Sequence, residues 1–250
     1  MHLKLTIAYD GTGLVGWQRQ LNGPSVQALL EDALALLEGG RVVVSGAGRT
    51  DSGVHALGQV ASVTLHRAIA PATVVKALNN ILPRAVRVLS ADEVGPEFHA
   101  RFHARRKMYR YRMWNGAVLD PFERDYVWHI ASPTLDVHAM EAAAGCMVGQ
   151  HDFAAFTGAG SEVQSTIRTI ASSTVTAVDM PRGGPLVTYD VSGDGFLRFM
   201  VRSIVGSLVD VGRGRHPSSW MNDVLASRER GRAGRTAPAA GLFLVSVEYE

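Results

Sequence analysis

The chain has 250 residues, 46% of them apolar, and a single cysteine, Cys146. That much apolar material supplies a core and excludes wholesale disorder, and one cysteine excludes an internal disulfide or a multi-cysteine zinc site. The formal charge of +2 says little by itself about partners, whereas the kind and placement of the basic residues say more.

Residues 3–9, LKLTIAY, alternate apolar and polar and predict a strand. The opening MHLKLTIAYD therefore does not read as a signal peptide. No apolar run approaches the roughly 20 residues that cross a bilayer, so a cytoplasmic location is expected. PSVQALLEDALALLEGG predicts a helix with Ser25 as N-cap, an apolar face of Val26, Leu29, Leu30, Ala33, Leu34 and Leu37, and Gly39 just past its end. RVVVS and residues 57–65 read as strands, PATVVKALNNIL as a helix and RAVRVLSADEV as a strand. The order is β-α-β-β-α-β, the ferredoxin-like pattern.

The second half repeats that order without a residue-level repeat. Residues 107–114 predict a strand and 136–148 a helix. Cys146 sits in this apolar helical context and is expected to be a small core residue. Strands follow at 165–178 and 185–193, joined by the turn-rich MPRGG. RFMVRSIVGSLVDVG predicts a helix, residues 218–227 a short inserted helix, and GLFLVSVEYE a closing strand. The fold class expected is α+β: two ferredoxin-like halves, 1–104 and 105–250, with antiparallel sheets meeting at a central basic cleft.

Only Lys4, Lys76 and Lys107 are lysines; the remaining basic residues are arginines. From Phe98 to Trp114, FHARFHARRKMYRYRMW holds six basic residues and no acidic one. Arginines interleaved with aromatics suit phosphate pairing and base stacking. SRERGRAGR, residues 227–235, reads as a solvated connection or as an arm that contacts phosphate.

SGAGRTDSGVHALGQVAS, residues 45–62, raises the question of chemistry. Gly48 and Gly53 have P-loop spacing, but Val54 and His55 stand where that loop needs lysine and a hydroxyl. Gly46-Ala47-Gly48 lacks the third glycine of a dinucleotide fingerprint. What remains is Arg49-Thr50-Asp51 between glycines. In an extended backbone Arg49 and Asp51 point to one side, and the arginine keeps the carboxylate ionised. Such a carboxylate serves as nucleophile or base; equally, Asp-Ser-Gly is ordinary turn chemistry. His55 reads as a structural residue or a general base. His99 and His103 are four apart but lack the rest of a metal motif, and HDF at 151–153 reads as a loop-closing Asp with a packed Phe.

GAGRTDSGVHALGQVA resembles the signature of the TruA family of tRNA pseudouridine synthases. YDGTGLVGWQRQ (9–20), SVQALLEDAL, FHARFHARRKMYRYRMWN (98–115), HDFAAFTGAG with STIRTI (151–170), GDGFLRFMVRSIVGSLVDVGRGR (193–215) and APAAGLFLVSVEYE (237–250) resemble further family segments in the family's order. The resemblance implies conversion of uridine to pseudouridine at positions 38, 39 and 40 of the tRNA anticodon stem-loop, by a homodimer using neither metal nor organic cofactor. It makes Asp51 the catalytic aspartate, Arg49 and Arg202 its supporting arginines, Tyr109 the residue that stacks on the target base and Leu242 a pocket-lining residue. RNA contacts are expected from Gln18, Arg19, Arg101, Arg105, Arg106 and Arg110. Two departures stand out: Leu14-Val15 occupy a place that is usually aromatic, and Ser52 replaces a commoner alanine. The rival readings are a related synthase with another tRNA target, a non-catalytic RNA-binding module, and a metal-dependent phosphate-ester hydrolase, for which no second carboxylate lies near Asp51 in sequence.

Overall fold

Ser25 caps the first helix as its position predicts. In the computed structural model, which describes residues 1–158, 163–181 and 183–249, its hydroxyl accepts the Ala28 N–H at 3.4 Å. Gly39 closes the other end at φ 79°, its N–H donating to the Ala35 carbonyl. The helix α1 (Val26–Glu38) buries Val26, Leu30, Ala33 and Leu34, the stripe that 3.6-residue periodicity requires.

The chain forms two compact units, one of Met1–Arg105 joined by the residues from Phe243 onward, the other of Arg106–Leu242. In the first, β1 (His2–Tyr9) buries Leu3, Leu5, Ile7 and Tyr9 in strict alternation. It pairs antiparallel with β3 (His55–Thr64) on one side and β4 (Val86–Glu93) on the other. The short β2 (Val44–Gly46) lies antiparallel against the end of β3, Val44 opposite Val63. A later strand, β10 (Leu242–Glu248), runs parallel to the beginning of β3, Phe243 opposite His55. The sheet is therefore mixed. A second helix, α2 (Pro71–Ile81), starts with proline at a position where the missing N–H costs nothing and buries Val74 and Leu78. Each such side chain contributes about 1.5–3 kcal/mol when taken fully from water.

In the second unit β5 (Arg106–Trp114), β9 (Gly184–Gly193), β8 (Ile167–Met180) and β7 (Gly149–Asp152) pair antiparallel in that order. The two-residue β6 (Trp128–His129) lies parallel to the end of β5. Among the described residues the strands form an open array, not a barrel. Helix α3 (Val137–Gly145) is capped by the Asp136 carboxylate, which accepts the Ala139 N–H at 2.9 Å. Helix α4 (Met200–Gly212) is buried at every position except Arg202 and Asp210, and α5 (Trp220–Ser227) is the short insertion. The architecture is α+β, with a β-α-β-β-α order of main elements in each unit.

Several predicted bounds shift. Pairing in β2 begins at Val44 rather than Arg41. Helix α4 begins at Met200 rather than Arg198 because Phe199 takes a left-handed backbone, φ 62°. Cys146 is half-buried just past α3 rather than a core residue. The last two residues of HDFAAFTGAG, Arg182 of the MPRGG turn and the final residue of GLFLVSVEYE lie outside the described residues. Among the described residues, no helix is long and apolar enough to cross a membrane.

Candidate active site

The connection from β2 to β3 carries Arg49 and Asp51, and it is pinned from beneath. The Ala47 N–H donates to the Val60 carbonyl at 2.7 Å, and the Gln59 side-chain amide donates to the Gly48 carbonyl at 2.9 Å. Thr50 is buried, its hydroxyl 2.8 Å from that of Tyr9. Burial pushes the Tyr9 hydroxyl up to about 12, against the opposing pull of its hydrogen bonds to Thr50 and Gln59, so it stays a neutral hydrogen-bonding group. Along residues 49–51 exposure runs exposed, buried, half-buried. Thr50 is the buried one of the three, between exposed Arg49 and half-buried Asp51.

The structure bears out the turn reading of Asp51-Ser52-Gly53. The Val54 N–H donates to the Asp51 carbonyl at 3.1 Å, and Gly53 has φ 76°, so the backbone makes a turn with glycine where φ must be positive. The turn bond is made by the Asp51 main chain, and the residue is half-buried.

The opening motif YDGTGLVGWQRQ is the clamp on this loop. The Trp17 N–H donates to the Thr50 carbonyl at 3.1 Å. The Leu14 carbonyl accepts both the Gly53 N–H (3.3 Å) and the Ser52 hydroxyl (3.1 Å), which gives the serine at this position a role. Leu14 itself is buried. A Cβ on Gly16 would stand 2.5 Å from the Thr50 carbonyl oxygen and 3.0 Å from the Asp51 carbonyl carbon. One on Gly11 would run into the Val54 carbonyl. These glycines let two backbones touch. His55 belongs to the same packing: it is buried, accepts the Gly11 N–H at Nδ1 (3.0 Å), lies 3.2 Å from the Asp10 carboxylate and stacks on Phe243 at 4.7 Å.

In the second unit Tyr109, on β5 opposite Val191, is buried and meets Phe196 edge-to-face at 5.0 Å. Arg202 stands in the first turn of α4, its Nε donating to the Ala237 carbonyl at 2.7 Å while its own carbonyl accepts the Ala237 N–H at 3.0 Å. The segment 234–237 therefore runs along α4, with the Gly234 N–H donating to the Ser207 hydroxyl at 2.9 Å. Burial raises the Tyr111 hydroxyl well above its ordinary range, while the charges of Arg202 and Arg235 pull the other way; that hydroxyl donates to the Pro238 carbonyl at 2.8 Å. Leu242 is buried at the start of β10, next to Gly241, whose missing side chain lets the chain cross Tyr111 and the Arg112 carbonyl.

The remaining RNA-contact candidates divide. Gln18, Arg101, Arg105 and Arg106 are exposed, the Arg101 guanidinium lying over the Phe102 ring at 5.8 Å. Arg19 is held on α1 by Glu31 (2.7 Å), Asp32 (2.6 Å) and the Ala28 carbonyl (3.1 Å). Arg110 makes a two-point contact with Asp190, both bonds 2.8 Å. The Asp152 carboxyl closes its loop as expected, accepting the Thr166 hydroxyl (2.5 Å) and the Ala154 N–H (3.1 Å), with Phe153 fully buried. His99 Nδ1 accepts the Arg101 N–H at 3.1 Å, a turn contact. In 227–235, Arg228 pairs with Asp152 at 3.2 Å and Arg230 reaches the Gly234 carbonyl and the Thr236 hydroxyl. These two arginines tie the connection down, and Arg232 is exposed. Sequence reasoning missed Tyr9 and Gln59 as supports of the Asp51 loop; both lie on strands where periodicity alone reads them as core.

The glycine-clamped loop that carries Arg49 and Asp51 is the candidate site, and the exposed Arg101, Arg105 and Arg106 suit a polyanionic partner. A family profile described as "tRNA pseudouridine synthase" matches residues 5–103 and 143–250. Proteins named tRNA pseudouridine synthase A from Myxococcus xanthus and Solidesulfovibrio magneticus are 47% and 50% identical to this chain, over 99% of it and 91% and 90% of their own lengths. That of Moorella thermoacetica is 46% identical over 99% of both chains. The chain belongs to the tRNA pseudouridine synthase family.

Proposed function

We propose that the chain converts uridine to pseudouridine at positions 38, 39 and 40 of the tRNA anticodon stem-loop, with Asp51 as its catalytic residue. The isomerase activity on tRNA follows from family membership. The assignment of Asp51 rests on one observation above all: two separate sequence motifs meet in backbone contact around the loop that carries it.

In the reaction the bond from N1 to C1′ breaks, a bond from C5 to C1′ forms, C5 loses its hydrogen and N1 gains one. No electrons are gained or lost overall. The uridine must leave the RNA stack. Tyr109 then covers its face, a contact worth about 1–3 kcal/mol, and Leu242 lines the pocket. Asp51 either adds to C1′ as a nucleophile or removes the C2′ proton. Both routes need an ionised carboxylate, which Arg49 and Arg202 favour. Gln18, Arg101, Arg105 and Arg106 fit phosphate and base contacts; Arg19 and Arg110 would meet RNA with their carboxylate partners beside them. Work at three adjacent positions calls for reading of RNA shape more than of base sequence.

The same reading makes the chain two ferredoxin-like halves, 1–104 and 105–250 by sequence, with the residues from Phe243 onward packed in the first unit. The antiparallel order β4-β1-β3-β2 of the first unit and β5-β9-β8 of the second support it. It also makes the protein a cytoplasmic homodimer. Mapping pseudouridine in unmodified tRNA treated with the enzyme tests the assignment of target: modification at 38–40 supports it, and modification confined to another arm would make the chain a synthase of different target.

A further inference from the structure

Three polar side chains of the first unit are buried where apolar ones would pack as well. Gln59 on β3 is 0% exposed, Tyr9 at the end of β1 4% and Thr50 in the loop 7%. Burying such groups costs free energy unless their hydrogen bonds are made, and here they are made to one another and to the loop. The Gln59 amide has one orientation. Its Oε1 accepts at 3.2 Å from the Val60 N–H, a group that only donates, and its Nε2 donates at 2.9 Å to the Gly48 carbonyl, a group that only accepts. The same Nε2 reaches the Tyr9 hydroxyl at 3.5 Å. That hydroxyl faces a donor at Gln59 and so gives its own proton to the Thr50 hydroxyl, 2.8 Å away. The chain of hydrogen bonds thus has a direction, from Gln59 through Tyr9 to Thr50.

Thr50 is held a second time, by the Trp17 N–H donating to its carbonyl at 3.1 Å. That bond fixes the plane of the peptide joining Thr50 to Asp51, and the hydroxyl bond fixes how Thr50 turns about its own Cα. The peptide is planar, so its two ends cannot move separately. The two bonds together therefore set the position of the Asp51 Cα. An apolar residue at 50 would keep the burial and the Trp17 bond but lose the other. Both partners of Thr50 come from the opening motif, the Tyr9 and Trp17 rings lying 6.4 Å apart.

We propose that Tyr9 and Gln59 are positioning residues for the isomerisation: through the Thr50 hydroxyl they fix the place from which Asp51, the next residue, presents its carboxylate. The inference rests on the reading of Asp51 as the catalytic residue. The buried polar groups are then explained, because a satisfied polar network orients its members in a way that apolar packing does not.

The test uses the full chain, a tRNA transcript carrying 5-³H-uridine, and tritium release beside thermal melts. Tyr9→Phe removes one hydroxyl and keeps the ring, and Thr50→Val removes the other at nearly the same size. Each is expected to lower kcat about ten-fold, with KM for tRNA within about two-fold of wild type, at temperatures where the variants are folded. Thr50→Ser, which keeps the hydroxyl, is expected to stay within about three-fold of the wild-type kcat. Tyr9→Phe combined with Thr50→Val is expected to be no slower than either alone, because both remove the same hydrogen bond. Val74→Ala, a truncation of a residue buried on α2, shows what lost packing does by itself: it lowers Tm and leaves kcat unchanged. Wild-type kcat in Tyr9→Phe, losses that multiply in the double variant, or a fall in kcat for Val74→Ala as large as that for Tyr9→Phe overturns the proposal. Asp51→Asn keeps the two readings apart. Activity in that variant removes the catalytic role of Asp51 and the proposal with it, whereas an inactive Asp51→Asn beside a fully active Tyr9→Phe removes the proposal alone.

Discussion

Gly16→Ala examines whether the opening motif is a clamp on the Asp51 loop or only a neighbour of it. Gly16 has φ 98°, where an L side chain costs about 1–2 kcal/mol. The added methyl would also stand 2.5 Å from the Thr50 carbonyl oxygen and 3.1 Å from the Ser52 nitrogen. Both are backbone atoms, which cannot swing aside as a side-chain tip can. Forcing one methyl into packed structure costs a further 1–3 kcal/mol or so. The total is roughly 2–5 kcal/mol, a fall in Tm on the order of 10 °C for a chain of this size. Relief of the contact displaces Thr50 and Asp51, so kcat should fall by more than ten-fold even at temperatures where the variant is folded; small misplacements of a reacting group are that expensive. Gly13→Ala is the control. Gly13 also has positive φ, 76°, but nothing lies within 4 Å of its would-be Cβ. It should lose about 1–2 kcal/mol from strain alone and keep its kcat. Thermal melts and tritium release on both variants decide the matter. If Gly16→Ala matches Gly13→Ala in both readouts, the clamp does not exist.

Acid titration probes the loop that Asp152 closes. The Thr166 hydroxyl, aided by the Ala154 N–H and Arg228, holds its carboxyl below the ordinary aspartate range. A depressed folded value means that its stabilisation is complete above the unfolded value near 4 and is lost as pH falls through the lower folded value. Urea denaturation should show wild type more stable than Asp152→Asn at pH 7, with the gap closing only below about pH 4; a gap constant from pH 7 to pH 2 would mean the carboxylate charge contributes nothing. The arginines make a separate prediction. Arg105→Gln should reduce the slope of log Kd for tRNA against log salt by about 0.7–0.9, one phosphate contact, whereas Arg110→Gln should change it less, since Asp190 already balances that charge at 2.8 Å. Equal changes in filter-binding titrations would show that the ion pair opens on the RNA.

What was legible in the sequence was what local rules decide. Alternation over Leu3, Leu5 and Ile7 gave a strand, and Ser25 and Gly39 bracketed a helix whose caps hydrogen-bond as expected. The Arg-Thr-Asp loop stood out by its glycines and by the failure of both phosphate-loop patterns. Spacing alone leaves Asp51 between turn and carboxylate chemistry, and the structure shows a turn bond made by its main chain. Three kinds of feature were hidden. The contact of Gly16 with Thr50 joins residues far apart in sequence, and no local pattern records it. Strands β6 and β7 are two and four residues long, too short for periodicity to register. Phe199 reads as another apolar residue of an apolar helix; only its backbone angle and the two guanidinium groups over its ring set it apart.

The central claim is that the Asp51 carboxylate performs the isomerisation. Asp51→Asn keeps the size of the side chain and the backbone turn while removing the charge. Tritium release from tRNA carrying 5-³H-uridine, measured beside tRNA binding under the same conditions, should show no product formation above background with affinity within a few-fold of wild type, because phosphate contacts supply most of the binding. Release at even a few per cent of the wild-type rate would contradict the account.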